Sequence, residues 1–372
     1  MTLALSRLEA LVSAVAEQVG AGTLPDPPFV REQDTPLDVW LESVATARQA
    51  HDAFALLRQR ARDVLTGASA SLAAELSLPA GDDLVRSSRS FAVQTGTQLV
   101  DVVPELGAQA PQGPTPASPE ATETVRLRIV GPRRASGAGV PCILRLHGGA
   151  FWMGGGVASE VLDRDLTRYL VHRTGAVVID VDYRLAPEHP FPAPIVDALL
   201  ALDLVREHAV ALGIDPARIA LLGTSSGGNT ATLAAVADAA RTSAAPLAAL
   251  CLVVPSVNLT TGPAALRDDP LAWAARVRQI GAYIGDALPL DSPWVSPALV
   301  DRLPGMPPTL AIVAEHDEVA QGGEALCAAI VAGGGTAAVR RYPMTHTTCL
   351  PDVEAESVRD LAEFLAEALG VA

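Results

Sequence analysis

The stretch that decides the fold reads Ile219-Ala220-Leu221-Leu222-Gly223-Thr224-Ser225-Ser226-Gly227-Gly228-Asn229. Four apolar residues run into a glycine, and small residues from Thr230 to Ala235 open a helix. Strand, tight turn and helix in immediate succession put Ser225 at the centre of a Gly-x-Ser-x-Gly frame. A turn that sharp needs Gly223 and Gly227 to be small, and it projects the Ser225 hydroxyl at the carboxyl end of a sheet. A glycine-rich loop holding a phosphate at a helix N-terminus has similar text, so the stretch needs partners before it acquires a chemistry. Ser226 is a rival hydroxyl, but it lies off the centre of the frame.

Working outward, the text on both sides has the rhythm of a covered parallel sheet. Short apolar runs at 125–130, 142–146, 176–181, 219–222, 250–254, 310–313 and 337–342 alternate with helical segments at 159–174, 195–212, 229–241 and 322–332. Continuous apolar strands between helices indicate an α/β fold with a mainly parallel central sheet covered on both faces. Upstream, Leu8, Leu11, Val12 and Val15, then Leu37, Trp40, Leu41 and Val44, recur at helical spacing. The first ~100 residues therefore read as helical, with a helix start at Asp34 and Thr35 before Pro36. The division that follows is a helical region over 1–106, a linker or long surface loop over 107–124, and the α/β domain over 125–372. A helical insertion carrying Trp273, Ile280, Tyr283 and Ile284 interrupts the rhythm at about 261–293.

Composition removes several function classes. The 372 residues contain 27 basic and 42 acidic side chains, for a net charge of −15. That surface repels nucleic-acid phosphates and anionic lipid, which makes both poor partners. All 27 basic residues are arginine. With no lysine there is no internal aldimine, no phosphate-loop lysine and no Ser-x-x-Lys nucleophile. Cys142, Cys251, Cys327 and Cys349 stand far apart and read as buried apolar residues. Arg7, Glu9 and Glu17 break the apolar text of the N-terminus, which reads as an amphipathic helix, not a signal peptide. No run is long enough to span a membrane. A soluble, reducing, cytoplasmic setting is the expectation.

Two further motifs join the first. His147-Gly148-Gly149-Ala150-Phe151 follows the run 142–146, where a glycine-rich turn can aim backbone N–H groups at a developing oxyanion. Asp182-Tyr183-Arg184-Leu185-Ala186-Pro187-Glu188-His189-Pro190-Phe191-Pro192 lies between the two. Together these stretches resemble the hormone-sensitive-lipase-like branch of the α/β-hydrolase superfamily, which contains many microbial carboxylesterases. The resemblance runs from about Val125 to the C-terminus and takes in Ser296-Pro297 and 307–317. The N-terminal helices resemble that family's lid in type only.

The resemblance implies an α/β-hydrolase fold and assigns roles. The triad acid follows the seventh strand of the family's core sheet, which here places it at Asp317. The base follows the last strand, at His346. Ser225, Asp317 and His346 then stand in the Ser–acid–His order of this fold. Taken singly, Asp317 also suits a helix cap and His346 a solvated loop. The resemblance further implies an oxyanion hole from the N–H groups of Ser226, Gly149 and Ala150, with His147 structural and Tyr183, Arg184 and Glu188 buttressing the loop. Trp152, Met153, Ser256 and Val257 are expected to line an apolar pocket beneath a helical lid.

The chain departs from the family pattern in places. Ala150 replaces the third glycine of the His-Gly-Gly-Gly pattern and is expected to adopt a negative φ. Gln321 replaces a second acid after Asp317, and Thr347-Thr348 replace Gly-Phe after His346. Cys349 near His346 has no elbow of its own. No ligand cluster indicates a metal, and no dinucleotide fingerprint indicates a cofactor. The expected function is a serine carboxylesterase acting on short to medium acyl esters, with a small-molecule ester as partner. A dedicated deacylase, acyltransferase or lactonase acting on one natural product is the alternative. A non-catalytic receptor on the same fold is a third reading. Oligomeric state is not legible.

Overall fold

The computed structural model describes residues 2–20, 24–67, 72–78, 84–114, 120–133, 139–241, 245–261, 270–285 and 288–371. Eight strands form one sheet: β1 Val85–Gln94, β2 Thr122–Gly131, β3 Val140–Leu146, β4 Val177–Asp182, β5 Ile214–Thr224, β6 Ala249–Val253, β7 Thr309–His316 and β8 Ala337–Thr345. Their order is β1-β2-β4-β3-β5-β6-β7-β8. β1 and β2 run antiparallel to their neighbours, and β4, β3 and β5 to β8 are parallel.

All seven strands expected from the sequence are present, and the eighth, β1, corrects the reading of the first ~100 residues as helical. Arg86, Ser87, Ser88, Arg89 and Ser90 leave this edge strand exposed along most of its length, so it carries almost no apolar pattern. The stretch 107–124 is also less of a loop than expected. A 3₁₀ helix covers Pro104–Gln109 and β2 begins at Thr122, while 115–119 lie outside the described residues.

Alternate residues of the parallel strands enter two separate cores. Leu144, Leu221, Leu252 and Ala311 face one side, and Ile143, Leu222, Cys251 and Ile312 the other. Because both faces are buried, each strand reads as one apolar run. The longer helices are α1 Thr2–Val19, α2 Leu37–Thr66, α3 Gly156–Leu162, α4 Arg164–Thr174, α5 Ala193–Glu207, α6 Ser226–Ala239, α7 Pro270–Ile284, α8 Ala320–Ala332 and α9 Pro351–Ala368. α5, α6 and α8 pack on the first face, α4 and α9 on the second. α7 gives the insertion at 261–293 its helix, and 262–269 lie outside the described residues.

The strand order marks one end of the sheet as the candidate site. Chain direction along the sheet reverses between β3 and β5, and open parallel sheets bind ligands at the carboxyl ends of the strands at such a point. The loops after β3 and β5 carry the two glycine motifs. The four cysteines are buried and free. Among the described residues no helix is long and apolar enough to cross a membrane.

Candidate active site

Ser225 sits between β5 and α6 with φ 53° and ψ −117°, a backbone conformation that costs an L-residue energy. Hydrogen bonds hold it there. Its N–H donates to the Val253 carbonyl at 2.9 Å, and its carbonyl accepts from Gly228 and Ser256 at 2.9 and 3.0 Å. A Cβ on Gly223 would come within 2.3 Å of the Gly227 carbonyl oxygen, and one on Gly227 within 2.2 Å of the Leu146 oxygen. Both glycines are therefore required for the turn to close. Ser226, the rival hydroxyl, is fully buried at the first position of α6, whereas Ser225 is half-exposed.

Loops after three strands meet at Ser225. Its Oγ lies 2.8 Å from His346 Nε2, just past β8. His346 Nδ1 lies 2.6 Å from Asp317 Oδ2, just past β7. The Asp317 side chain is 2% exposed, and its other oxygen accepts the Val319 N–H at 3.1 Å within the turn that leads into α8, whose N-cap position is Val319 and not Asp317. Hydroxyl, imidazole and buried carboxylate thus form one hydrogen-bonded chain, an arrangement able to draw a proton from the hydroxyl as it attacks an electrophile.

The loop after β3 rests against the serine. A Cβ on Gly148 would lie 3.3 Å from the Ser225 Cβ. Gly149 has φ 131°, and a Cβ there would overlap the Met153 carbonyl. Ala150 has φ 53° and Phe151 φ 71°. The expected negative φ at Ala150 is therefore wrong: the loop keeps a left-handed turn that favours glycine even with alanine in place. Trp152 and Met153 N–H groups close it by donating to the Gly149 carbonyl at 3.1 and 3.0 Å. Among the described residues nothing accepts a hydrogen bond from the N–H of Gly149 or Ala150. His147 stacks on Tyr183 at 4.3 Å, with Nδ1 2.7 Å from the Gly148 carbonyl oxygen. Burial pushes its pKa down, so the ring is neutral and Nδ1 carries the proton it donates.

The expected buttresses act in different ways. Tyr183 donates its hydroxyl to the His147 carbonyl at 2.5 Å. Arg184 instead forks onto Asp197 of α5. Glu188 reaches the loop through Arg48, which sequence reasoning did not find. Arg48 pairs with both Glu188 oxygens at 2.8 and 2.6 Å and donates to the carbonyls of Trp152 and Ala186. One turn on, Asp52 accepts the Gly154 N–H at 2.9 Å. Two α2 residues at i and i+4 therefore hold the far side of the loop after β3.

The expected pocket residues divide. Ser256 is buried beside the Ser225 backbone, and Met153 is half-buried. Trp152 is buried with its ring edge-on to Phe29 and His51. Val257 has no exposed surface and packs in the main core. Among the described residues no group of three or more metal-binding side chains occurs.

A family profile described as alpha/beta hydrolase fold matches residues 143–349, more than half of the chain. The arylesterase of Saccharolobus solfataricus is 32% identical over 213 residues, which cover 56% of this chain and 67% of that protein. Carboxylesterase NlhH of Mycobacterium tuberculosis is 34% identical over 224 residues, 56% of this chain and 66% of that protein. The match thus spans about two thirds of either relative. Among solved structures, an esterase of Pyrobaculum calidifontis superposes with a TM-score of 0.62 at 25% identity, covering 92% of this chain and 96% of that one.

Proposed function

The chain belongs to the alpha/beta hydrolase family, in its hormone-sensitive-lipase-like branch, and from that premise we propose that it hydrolyses carboxylic esters through an acyl-enzyme on Ser225. The observation that carries this reading is the unbroken chain from Ser225 Oγ to His346 to buried Asp317. His346 Nε2 takes the hydroxyl proton as Oγ bonds to the acyl carbon. Asp317 holds the imidazole in the tautomer that leaves Nε2 free, and it stabilises the imidazolium. The oxyanion is received by the N–H of Ser226 at the start of α6 and by those of Gly149 and Ala150. Collapse expels the alcohol with the proton from His346, and water then repeats the sequence on the acyl-enzyme.

The substrate is a small ester of short to medium acyl length, admitted between the sheet edge and a lid made of α1, α2 and α7. This reading of α7 is supported by Gln279, which donates to the Ala150 carbonyl at 3.3 Å, and by Tyr283, which stacks on Phe151 at 3.9 Å. Ser225→Ala should lower turnover of nitrophenyl butyrate by roughly 10⁵-fold with the fold intact. A serine-directed phosphonate should label Ser225. Near-wild-type turnover by the variant, or label on Ser226, would refute the assignment.

A further inference from the structure

α2 crosses the site from one catalytic loop to the other. Arg48 and Asp52 bind the oxyanion loop, Arg58 donates to Thr347 Oγ1 at 2.9 Å, and Arg62 pairs with Glu354 at 2.8 Å. Residues 48, 52, 55, 58, 59 and 62 form one face of the helix, and small Ala55 lies midway between the anchors. Beneath that midpoint is a cavity of about 250 Å³ lined by Val15, Ala55, Arg58, Leu162, Thr347 and Thr348. A second cavity of about 190 Å³ shares Arg62, Leu162, Thr347 and Thr348 with it and continues inward to His346, past Val254 and Met344. Both meet at the two threonines that stand next to the base.

The charges in this crevice are not balanced. The Arg62 guanidinium is taken up by Glu354 and Asp63. Asp163, which lines the inner cavity, pairs with Arg145. Arg58 is half-buried and donates to the Thr347 hydroxyl; among the described residues it has no carboxylate partner. A chain of net charge −15 repels anions at long range, so a held, uncompensated guanidinium at the wall of an apolar cavity is a specific device. Its planar fork suits a carboxylate or another oxyanion.

We propose that the crevice beneath α2 is the leaving-group subsite for esters whose alcohol carries an anionic group, recognised by Arg58. This rests on the ester-hydrolase reading. The side is assigned by chemistry, because the crevice adjoins His346, the residue that hands the proton to the departing alcohol. The apolar walls take the body of the alcohol and Arg58 takes its charged end.

The test compares two butyrate esters that differ only in charge, those of 4-hydroxyphenylacetic acid and of 4-hydroxyphenylacetamide. The wild-type enzyme should favour the acid by at least ~10-fold in kcat/KM. Arg58→Gln should bring that ratio close to one, and Arg58→Lys should keep part of it. Calorimetry with the two free phenols, which needs no turnover, should show tighter binding of the acid that Arg58→Gln removes. Turnover of both esters with no preference for the acid overturns this subsite and leaves the ester-hydrolase reading standing. Arg58-dependent binding of the acid without turnover of either ester leaves an anion site at Arg58 but overturns the ester-hydrolase reading and, with it, the leaving-group role. Absence of charge-dependent binding in calorimetry overturns the subsite whatever the kinetics.

Discussion

Arg48 in α2 and Glu188, 140 positions later in the chain, form a two-pronged ion pair at 2.8 and 2.6 Å with side chains only 20% and 14% exposed. Removing one partner of such a pair strands the other, at a cost of roughly 3 kcal/mol. The same guanidinium holds the Trp152 carbonyl, so the loss reaches the loop after β3, the proposed oxyanion loop. Arg48→Met should lower the unfolding free energy by about that amount and kcat by ~10- to 100-fold, with a smaller change in KM. Arg48→Lys should recover little, because a point charge cannot reproduce the fork. Denaturant unfolding and steady-state kinetics measure both. Wild-type kcat in a destabilised Arg48→Met enzyme would show that the pair supports the fold alone.

Asp52 gives a cleaner test of the same contact. Burial pushes its carboxyl up from the ordinary 3.8, and the Gly154 N–H and Arg48 offset only part of that. The folded value lies above the unfolded one, so the stability linked to this group is present below about 3.8 and is lost as pH rises through the folded value. At neutral pH the ionised form therefore carries a cost that an amide avoids. Asp52→Asn keeps an acceptor for Gly154 and should match or slightly exceed wild-type stability at pH 7, with kcat preserved. Asp52→Ala leaves that N–H unpaired and should cost ~1–2 kcal/mol together with activity. Equal kcat in the Asn and Ala enzymes would mean that the hydrogen bond does not position the loop.

His189 sets an acid limit on stability. Burial, with Arg184 and Arg48 adding repulsion against Glu188, pushes its pKa down from 6.5 to about 4. The unfolded chain then binds more protons between those values. The stability this neutral ring contributes is present above about 6.5 and is lost as pH falls toward 4, to the extent of roughly 3 kcal/mol. Melting temperatures recorded from pH 7 to 4 should fall, and His189→Gln should flatten the decline. An unchanged slope in the variant would assign the acid sensitivity to other groups.

What the sequence disclosed and what it hid follow from the kind of signal each residue leaves. Ser225 stands in a strand–turn–helix motif of its own, whereas Asp317 and His346, which singly suit a helix cap and a solvated loop, are placed by the family resemblance; their approach to one another follows from parallel strands ending on one edge. Val85–Gln94 escaped because an edge strand with both faces in water over most of its length carries arginine and serine where a pattern would be. Arg48, Asp52 and Arg58 escaped for a different reason. On an amphipathic helix of 30 residues every charge looks like part of a solvated face, and only the tertiary docking of α2 shows which face is turned inward. Ala150 was misread because a residue's type limits its own backbone, whereas here the surrounding hydrogen bonds impose the turn.

That imposed turn makes Ala150 the sharpest test of the site. A left-handed alanine costs ~1–2 kcal/mol, and glycine gives back ~0.5–1 kcal/mol through its unfolded-state freedom. Ala150→Gly should therefore stabilise the protein by about 0.5–1 kcal/mol. The N–H remains available, and the loop is still held by Trp152 and Met153 on the Gly149 carbonyl, by Gln279 on the Ala150 carbonyl and by the Phe151–Tyr283 stack. With those restraints intact kcat should change by less than ~10-fold, well below the ~3 kcal/mol that an oxyanion donor is worth. Two results would count against this account. A fall in melting temperature would mean that the methyl group packs more favourably than the backbone is strained. A ~100-fold change in kcat would mean that alanine itself, and not the restraints around it, fixes where the N–H points.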